Sequence, residues 1–181
     1  MARESSPPAE RSRQDVLYQQ VADDFGPALD RLTRAYQADE DRRRDLLQEI
    51  HVALWRSLAT FDERCSLRTW VYRVAHNVGA SHVIGDRKAR SRGFVTLAEL
   101  ESLPGSDDVE ASVERRKAIE RLLHLIQRLD PINRQVILLY LEGFDAADIG
   151  EIVGLKTPNV ATKIHRIKAI LARRFPGRRA P

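Results

Sequence analysis

Apolar residues recur every three or four positions along most of the chain, the period of an α-helix rather than the alternation of a strand. In the first half the clearest stretch runs from about Asp41 to Leu58, with Leu46, Leu47, Ile50, Leu54 and Leu58 on one stripe. Before it, Val16, Val21 and Phe25 start a pattern that Gly26-Pro27 interrupts and Leu29, Leu32 and Tyr36 resume, predicting a broken or paired first helix. Ser66 caps a further helix whose buried stripe is Trp70, Val71, Val74 and Val78. Ser112 caps another, with Ile119, Leu122, Leu123, Ile126 and Leu129 inward. Asp130-Pro131 opens the next, carrying Ile132, Val136, Leu139 and Tyr140. Two helices close the chain: a short one capped by Asp145, with Ile149, Ile152 and Val153 aligned, ends at Gly154. The other starts with Thr157 as N-cap and Pro158 at its first position, and buries Val160, Ile164, Ile167 and Leu171. No alternating run or Asn-Gly hairpin competes, so the expected fold is all-α.

Punctuation divides this pattern. Residues 1–14 offer almost nothing to bury and are expected to be a disordered tail; 15–92 form a first helical domain. Residues 93–111 contain Pro104-Gly105 and the acids Glu99, Glu101, Asp107, Asp108 and Glu110, and read as a flexible acidic linker. A second small helical domain spans 112–176, and 177–181 are a basic tail.

Composition narrows the function. A net charge of +4 on 181 residues is mild, but from Lys156 onward there are eight Lys or Arg and no acid, which suits a polyanion. Cys65 is the sole cysteine, and His76 and His82 are six positions apart, so neither a disulfide nor a metal site is expected, and no cofactor. The chain has no apolar run of membrane length and no apolar core in its N-terminal segment, which points to the cytoplasm. It also lacks a Ser/His/Asp set, a phosphate-cradling glycine loop and paired carboxylates, so it is not expected to be an enzyme.

Three faces remain as candidates. The last two helices make a helix-turn-helix whose outer face gathers Asn159, Thr162, Lys163, Arg166 and Arg173, a donor-rich surface for the major groove; a solvated basic helix closing a small bundle is the plainer alternative. Opposite the Leu46–Leu58 stripe lie Asp45, Gln48, Glu49, Val52 and Arg56, where an apolar Val52 hints at a protein partner. Trp70, Arg73, His76 and Asn77 precede the basic Arg87, Lys88, Arg90 and Arg92, a combination suited to unstacked bases, though equally to a solvated helix with a core tryptophan.

Two separated stretches resemble the extracytoplasmic-function (ECF) sigma factors of bacterial RNA polymerase. Asp45-Leu46-Leu47-Gln48-Glu49-Ile50 with Ala53-Leu54-Trp55 resembles the polymerase-binding helix of region two, and Ser66 through Asn77 resembles the adjoining promoter-melting helix. Leu141 to Arg166 is similar to the region-four helix-turn-helix. The resemblance implies a transcription initiation factor in which Asp45, Gln48, Glu49 and Val52 contact the clamp helices of the largest polymerase subunit. It implies that the Phe61–Ser66 loop, including Asp62, captures a flipped minus-ten base, with Trp70, Arg73, His76, Asn77, Arg87 and Lys88 near the opening duplex. Thr157, Asn159, Thr162, Lys163 and Arg166 would meet the minus-thirty-five element, Arg166 by guanine readout and Lys163 at phosphate. His76 stands where Arg is common, which would make a cationic contact there pH-dependent, and Ser81, Gly85 and Asp86 depart from the family pattern. Control by an anti-sigma partner is the family's usual arrangement. The competing class is an autonomous helix-turn-helix regulator binding paired half-sites.

Overall fold

The computed structural model describes residues 8–90, 96–102 and 113–174. In order these form α1 (Pro8–Tyr36), α2 (Glu40–Leu58), α3 (Leu67–Arg90), α4 (Leu97–Ser102), α5 (Val113–Arg128), α6 (Pro131–Leu141), α7 (Ala146–Val153) and α8 (Thr157–Arg174), with no β-strand among the described residues. Contacts divide the chain into two units, Met1–His82 and Val83–Pro181.

In the first unit, α2 is capped by Asp39, whose side chain accepts the Arg42 N–H at 3.1 Å, and Glu40 and Asp41 complement the helix dipole. Its buried stripe is Leu46, Ile50, Leu54 and Leu58, with Leu47 half-buried. Against it packs α1. Contrary to the expected break, α1 runs unbroken through Gly26-Pro27. A proline inside a helix costs about 3 kcal/mol, but Val21 before it and Ala28, Leu29 and Leu32 after it are all buried, and each large apolar side chain returns about 1.5–3 kcal/mol. The helix also starts within the expected tail. Gln14 is buried and donates to the Trp55 carbonyl at 2.6 Å, which draws the start of α1 onto α2; residues 1–7 lie outside the described ones.

Helix α3 begins as expected, with Ser66 Oγ accepting the Thr69 N–H at 3.0 Å. Its buried side is rotated from the expected one: Val71, Tyr72, Ala75, His76 and Val83 are buried, whereas Trp70, Val74 and Val78 are half-buried. Aromatic contacts cause the rotation, with Tyr72 edge-on to Phe25 at 6.3 Å and His76 against Tyr36 at 5.8 Å between ring centres.

In the second unit, Asp130 caps α6 by accepting the Asn133 N–H at 3.0 Å, and Pro131 follows at the helix start. Arg134, only 1% exposed, donates from Nη2 to the carbonyls of Leu129, at 3.1 Å, and Gln127, tying the end of α5 to α6. On α5, Ile126 is buried but Ile119, expected inward, is 54% exposed; Ser112 lies outside the described residues. Within the stretch read as linker, Thr96 and Glu99 form a capping box that starts α4, and Leu97 and Leu100 are buried as α4 packs on α8. The remainder of that stretch and the 177–181 tail fall outside the described residues.

Helices α6, α7 and α8 pack on one another. Asp145 caps α7 through the N–H groups of Ala147, at 2.8 Å, and Asp148, at 2.9 Å. Gly154 ends α7 at φ 73°, the left-handed conformation that glycine adopts freely. The chain then doubles back so closely that a Cβ on Gly150 would stand 2.6 Å from the Leu155 carbonyl oxygen. Helix α8 starts at Thr157, the expected cap, one residue before the expected first position at Pro158, and Lys156 supplies the carbonyl that accepts the N–H groups of Asn159 and Val160. Val160, Ile164, Ile167 and Ile170 are buried, with Leu171 half-buried.

Gly150→Ala therefore forces the turn apart and should destabilise the second unit by about 1–3 kcal/mol. Chemical denaturation of the full chain would show this as a lower midpoint, and an unchanged midpoint would mean that the turn relaxes freely.

Candidate nucleic-acid and protein interfaces

Burial of the α2 stripe leaves Asp45, Gln48, Glu49 and Val52 exposed on the opposite side, Val52 by 42%. Beside them is an apolar groove of about 430 Å³ lined by Tyr18, Gln48, His51, Val52, Trp55 and Arg56. Trp55 is 41% exposed yet oriented, because its Nε1 donates to Asp15 at 2.9 Å. Tyr18 Oη and His51 Nδ1 are 3.1 Å apart, and burial pushes the His51 pKa down. Glu49 also has His82 Nδ1 within 3.4 Å. Tyr18 and His51 were not expected on this face, and Trp55 was expected only within the stretch that resembles the polymerase-binding helix. Trp55, three residues after Val52, was detectable by helical spacing; Tyr18 arrives from α1 and had no local signal.

The second set lies on the loop after α2 and on α3. Asp62 and Ser66 are exposed, Asp62 accepting the Arg64 N–H and pairing with its guanidinium at 2.9 Å. Glu63 adopts φ 64°, uncommon for a side-chain-bearing residue, and pairs with Arg13 at 2.6 Å. Phe61, expected in the base-capturing loop, is buried, with its ring 5.4 Å from that of Trp70, so it supports the loop from beneath. Trp70 is half-buried and donates from Nε1 to Ser57 Oγ at 3.1 Å. Arg73 is half-buried and Asn77 exposed; Arg87 and Lys88 belong to α3, but their side chains lie outside the described ones.

His76 corrects the expectation of a pH-dependent cationic contact. It is 1% exposed, hydrogen-bonded through Nδ1 to the Tyr36 hydroxyl at 2.8 Å and stacked on Tyr72. Desolvation lowers its pKa from 6.5 to about 3, so it is a neutral core residue at physiological pH.

The third set is on α8, where Thr157, Asn159, Thr162 and Arg166 are exposed at and after the N-terminal turn. Thr162 Oγ1 donates to the Pro158 carbonyl at 2.9 Å. Lys163 is half-buried and turns back to α6, donating from Nζ to Asn133 Oδ1 at 2.9 Å. No metal-binding group of three or more His, Cys, Asp or Glu occurs among the described residues, and none of their helices is long and apolar enough to cross a membrane.

The chain matches two family models, Sigma-70 region 2 over residues 21–87 and Sigma-70, region 4 over residues 119–171. The chain belongs to the RNA polymerase sigma factors of the ECF type, and is a transcription initiation factor with a DNA-binding region 4. Among its relatives is the sigma factor NccH of Alcaligenes xylosoxydans xylosoxydans, 26% identical over 84% of this chain and 83% of its own. Another is SigM of Mycobacterium tuberculosis, 27% identical over 91% of this chain and 85% of its own. Two solved structures share the fold. CnrH in complex with the cytosolic domain of CnrY has a TM-score of 0.62 at 22% identity, covering 91% of this chain and 95% of CnrH. RpoE with the anti-sigma factor NepR from Bartonella quintana has 0.64 at 17%, covering 90% and 98%. The match over both units does not favour the autonomous regulator.

Below pH 6.5 an unfolded chain protonates His76 while the folded chain, with its pKa near 3, does not. Stability contributed by the neutral imidazole is thus complete above pH 6.5 and falls by about 1.4 kcal/mol per unit as the pH drops towards 3. His76→Gln should flatten that slope while lowering stability at pH 7. Urea midpoints measured from pH 7 to 4 check this, and equal slopes for both proteins would contradict it.

Proposed function

We propose that this chain binds core RNA polymerase through the outward side of α2, with Asp45, Gln48, Glu49 and Val52 meeting the clamp helices of the largest subunit. The observation that carries this reading is that these four exposed residues share one side of a helix whose other side is fully occupied by the core. The apolar groove at Val52 and Trp55 adds desolvatable surface beside the acidic one, the combination of steering charge and apolar anchor that productive interfaces use.

Once loaded, the holoenzyme meets promoter DNA through two further faces. Asp62, Ser66, Trp70, Arg73 and Asn77 lie on the loop and the first turns of α3, where hydrogen-bonding edges and a half-exposed indole suit an unstacked minus-ten base. Thr157, Asn159, Thr162 and Arg166 present donors and acceptors along the exposed side of α8, from its N-terminus to its middle, to the major groove of the minus-thirty-five element. The protein supplies binding energy and selection, whereas polymerase performs the chemistry, so it acts in the cytoplasm beside that enzyme. The domain organisation proposed is region 2 over 15–92, a linker over 93–111 and region 4 over 112–176. An anti-sigma partner is the proposed control, supported by the complexes in which the structural relatives were solved.

Asp45→Arg combined with Glu49→Arg should abolish core-polymerase binding, measured by co-sedimentation or fluorescence anisotropy, with helix content unchanged; undiminished affinity would remove this surface from the account. Arg166→Ala should cost about 1–3 kcal/mol of discrimination at one base of the upstream element. Promoter selection from a randomised element would detect it, and an unaltered base preference would reassign Arg166 to phosphate.

A further inference from the structure

Lys163 differs from its neighbours on the α8 face in reaching back thirty positions to Asn133, with Nζ 2.9 Å from Oδ1. Asn133 is 5% exposed and sits in the first turn of α6. Its amide is itself held in place. Nδ2 donates to Oδ2 of Asp130, and the other oxygen of that carboxylate caps the helix by accepting the Asn133 N–H at 3.0 Å. With Nδ2 engaged by Asp130, the oxygen faces α8 and can only accept, so it requires a donor there, which the Lys163 ammonium supplies. The series runs from ammonium through amide to carboxylate, with each bond polarising the next in the same sense. One of the three Lys163 donors is used and two remain, on a side chain that is half-buried rather than enclosed.

We propose that Asn133, outside the helix-turn-helix itself, is a positioning residue for upstream-element binding. Backed by Asp130, it fixes the Lys163 ammonium so that its remaining N–H groups clamp a backbone phosphate. That clamp sets the register in which Asn159, Thr162 and Arg166 meet the bases. A four-carbon stem ordered before DNA arrives loses less freedom on binding, and a phosphate contact fixes register without carrying sequence information of its own. The proposal rests on the promoter-binding reading given above and deepens it.

The test uses holoenzyme assembled from core polymerase and the full chain: unmutated, Asn133→Ala, Lys163→Met, or both together. Initiation is measured against salt on matched templates with and without the upstream element, and thermal unfolding of each chain is recorded in parallel. Each single variant should lower element-dependent initiation about three- to tenfold. Lys163→Met should also reduce the log–log salt slope by about 1. The double variant should be no worse than Lys163→Met alone, because Asn133 acts through the lysine. Lys163→Met removes a charge from a side chain that is not in the core, so it remains informative if Asn133→Ala folds poorly. The proposal is overturned if Asn133→Ala costs as much with Met at 163 as with Lys, if neither substitution changes initiation, or if the losses follow thermal stability with the salt slope untouched. Absence of starts with the unmutated chain would overturn the promoter-binding reading and this proposal together, whereas starts with additive losses would overturn this proposal alone.

Discussion

A helix in a small domain can bury only one stripe, and that constraint determines which side chains this protein offers to partners. On α2 the inward row of Leu46, Ile50, Leu54 and Leu58 sends Asp45, Gln48, Glu49 and Val52 outward; on α8 the inward row of Val160, Ile164, Ile167 and Ile170 does the same for Asn159, Thr162 and Arg166. Rotating either helix by one position would expose part of its apolar row and bury charge, at a cost of several kcal/mol. The side on which the partner-facing residues stand is thereby set by the buried row opposite them. In the second unit the turn before α8 adds a further restraint, because the backbone at Leu155 leaves no space for a side chain on Gly150.

The faces differ in how much secondary support they carry. Around α2, the start of α1 contributes Gln14 and Asp15, which hold the Trp55 carbonyl and indole and orient the aromatic wall of the groove. The loop after α2 rests on Phe61 and Trp70 packed together, while its exposed acids are braced by Arg13 and Arg64. Such exposed ion pairs contribute about 0–1 kcal/mol each, so the aromatic support beneath the loop is the stronger restraint. Rigid support under exposed polar groups suits a protein whose work is recognition.

What the sequence made legible was the set of elements with strong local signals. The α2 stripe, the Asp130 and Asp145 caps, the Gly154 stop and the α8 period all stand where side-chain pattern and capping chemistry placed them. The errors came where a distant residue decided the outcome. Pro27 is a local helix breaker, but burial on both sides of it against α2 outweighs the lost hydrogen bond. In α3 the apolar residues spread around the helix, and Tyr36 and Phe25 of α1 select the side that includes Tyr72 and His76, residues that a polarity pattern treats as outward. His76 therefore looked like a DNA contact and is a core side chain. Lys163 read as a fully outward cation because its partner, Asn133, lies on another helix.

Mapping RNA starts on fragmented genomic DNA, with bacterial core polymerase in the presence and absence of the protein, measures whether the chain directs polymerase to promoters. Discrete starts are expected only with the protein, downstream of a shared two-part element. Tight binding of the protein alone to duplex sites, with no added starts, would contradict this role.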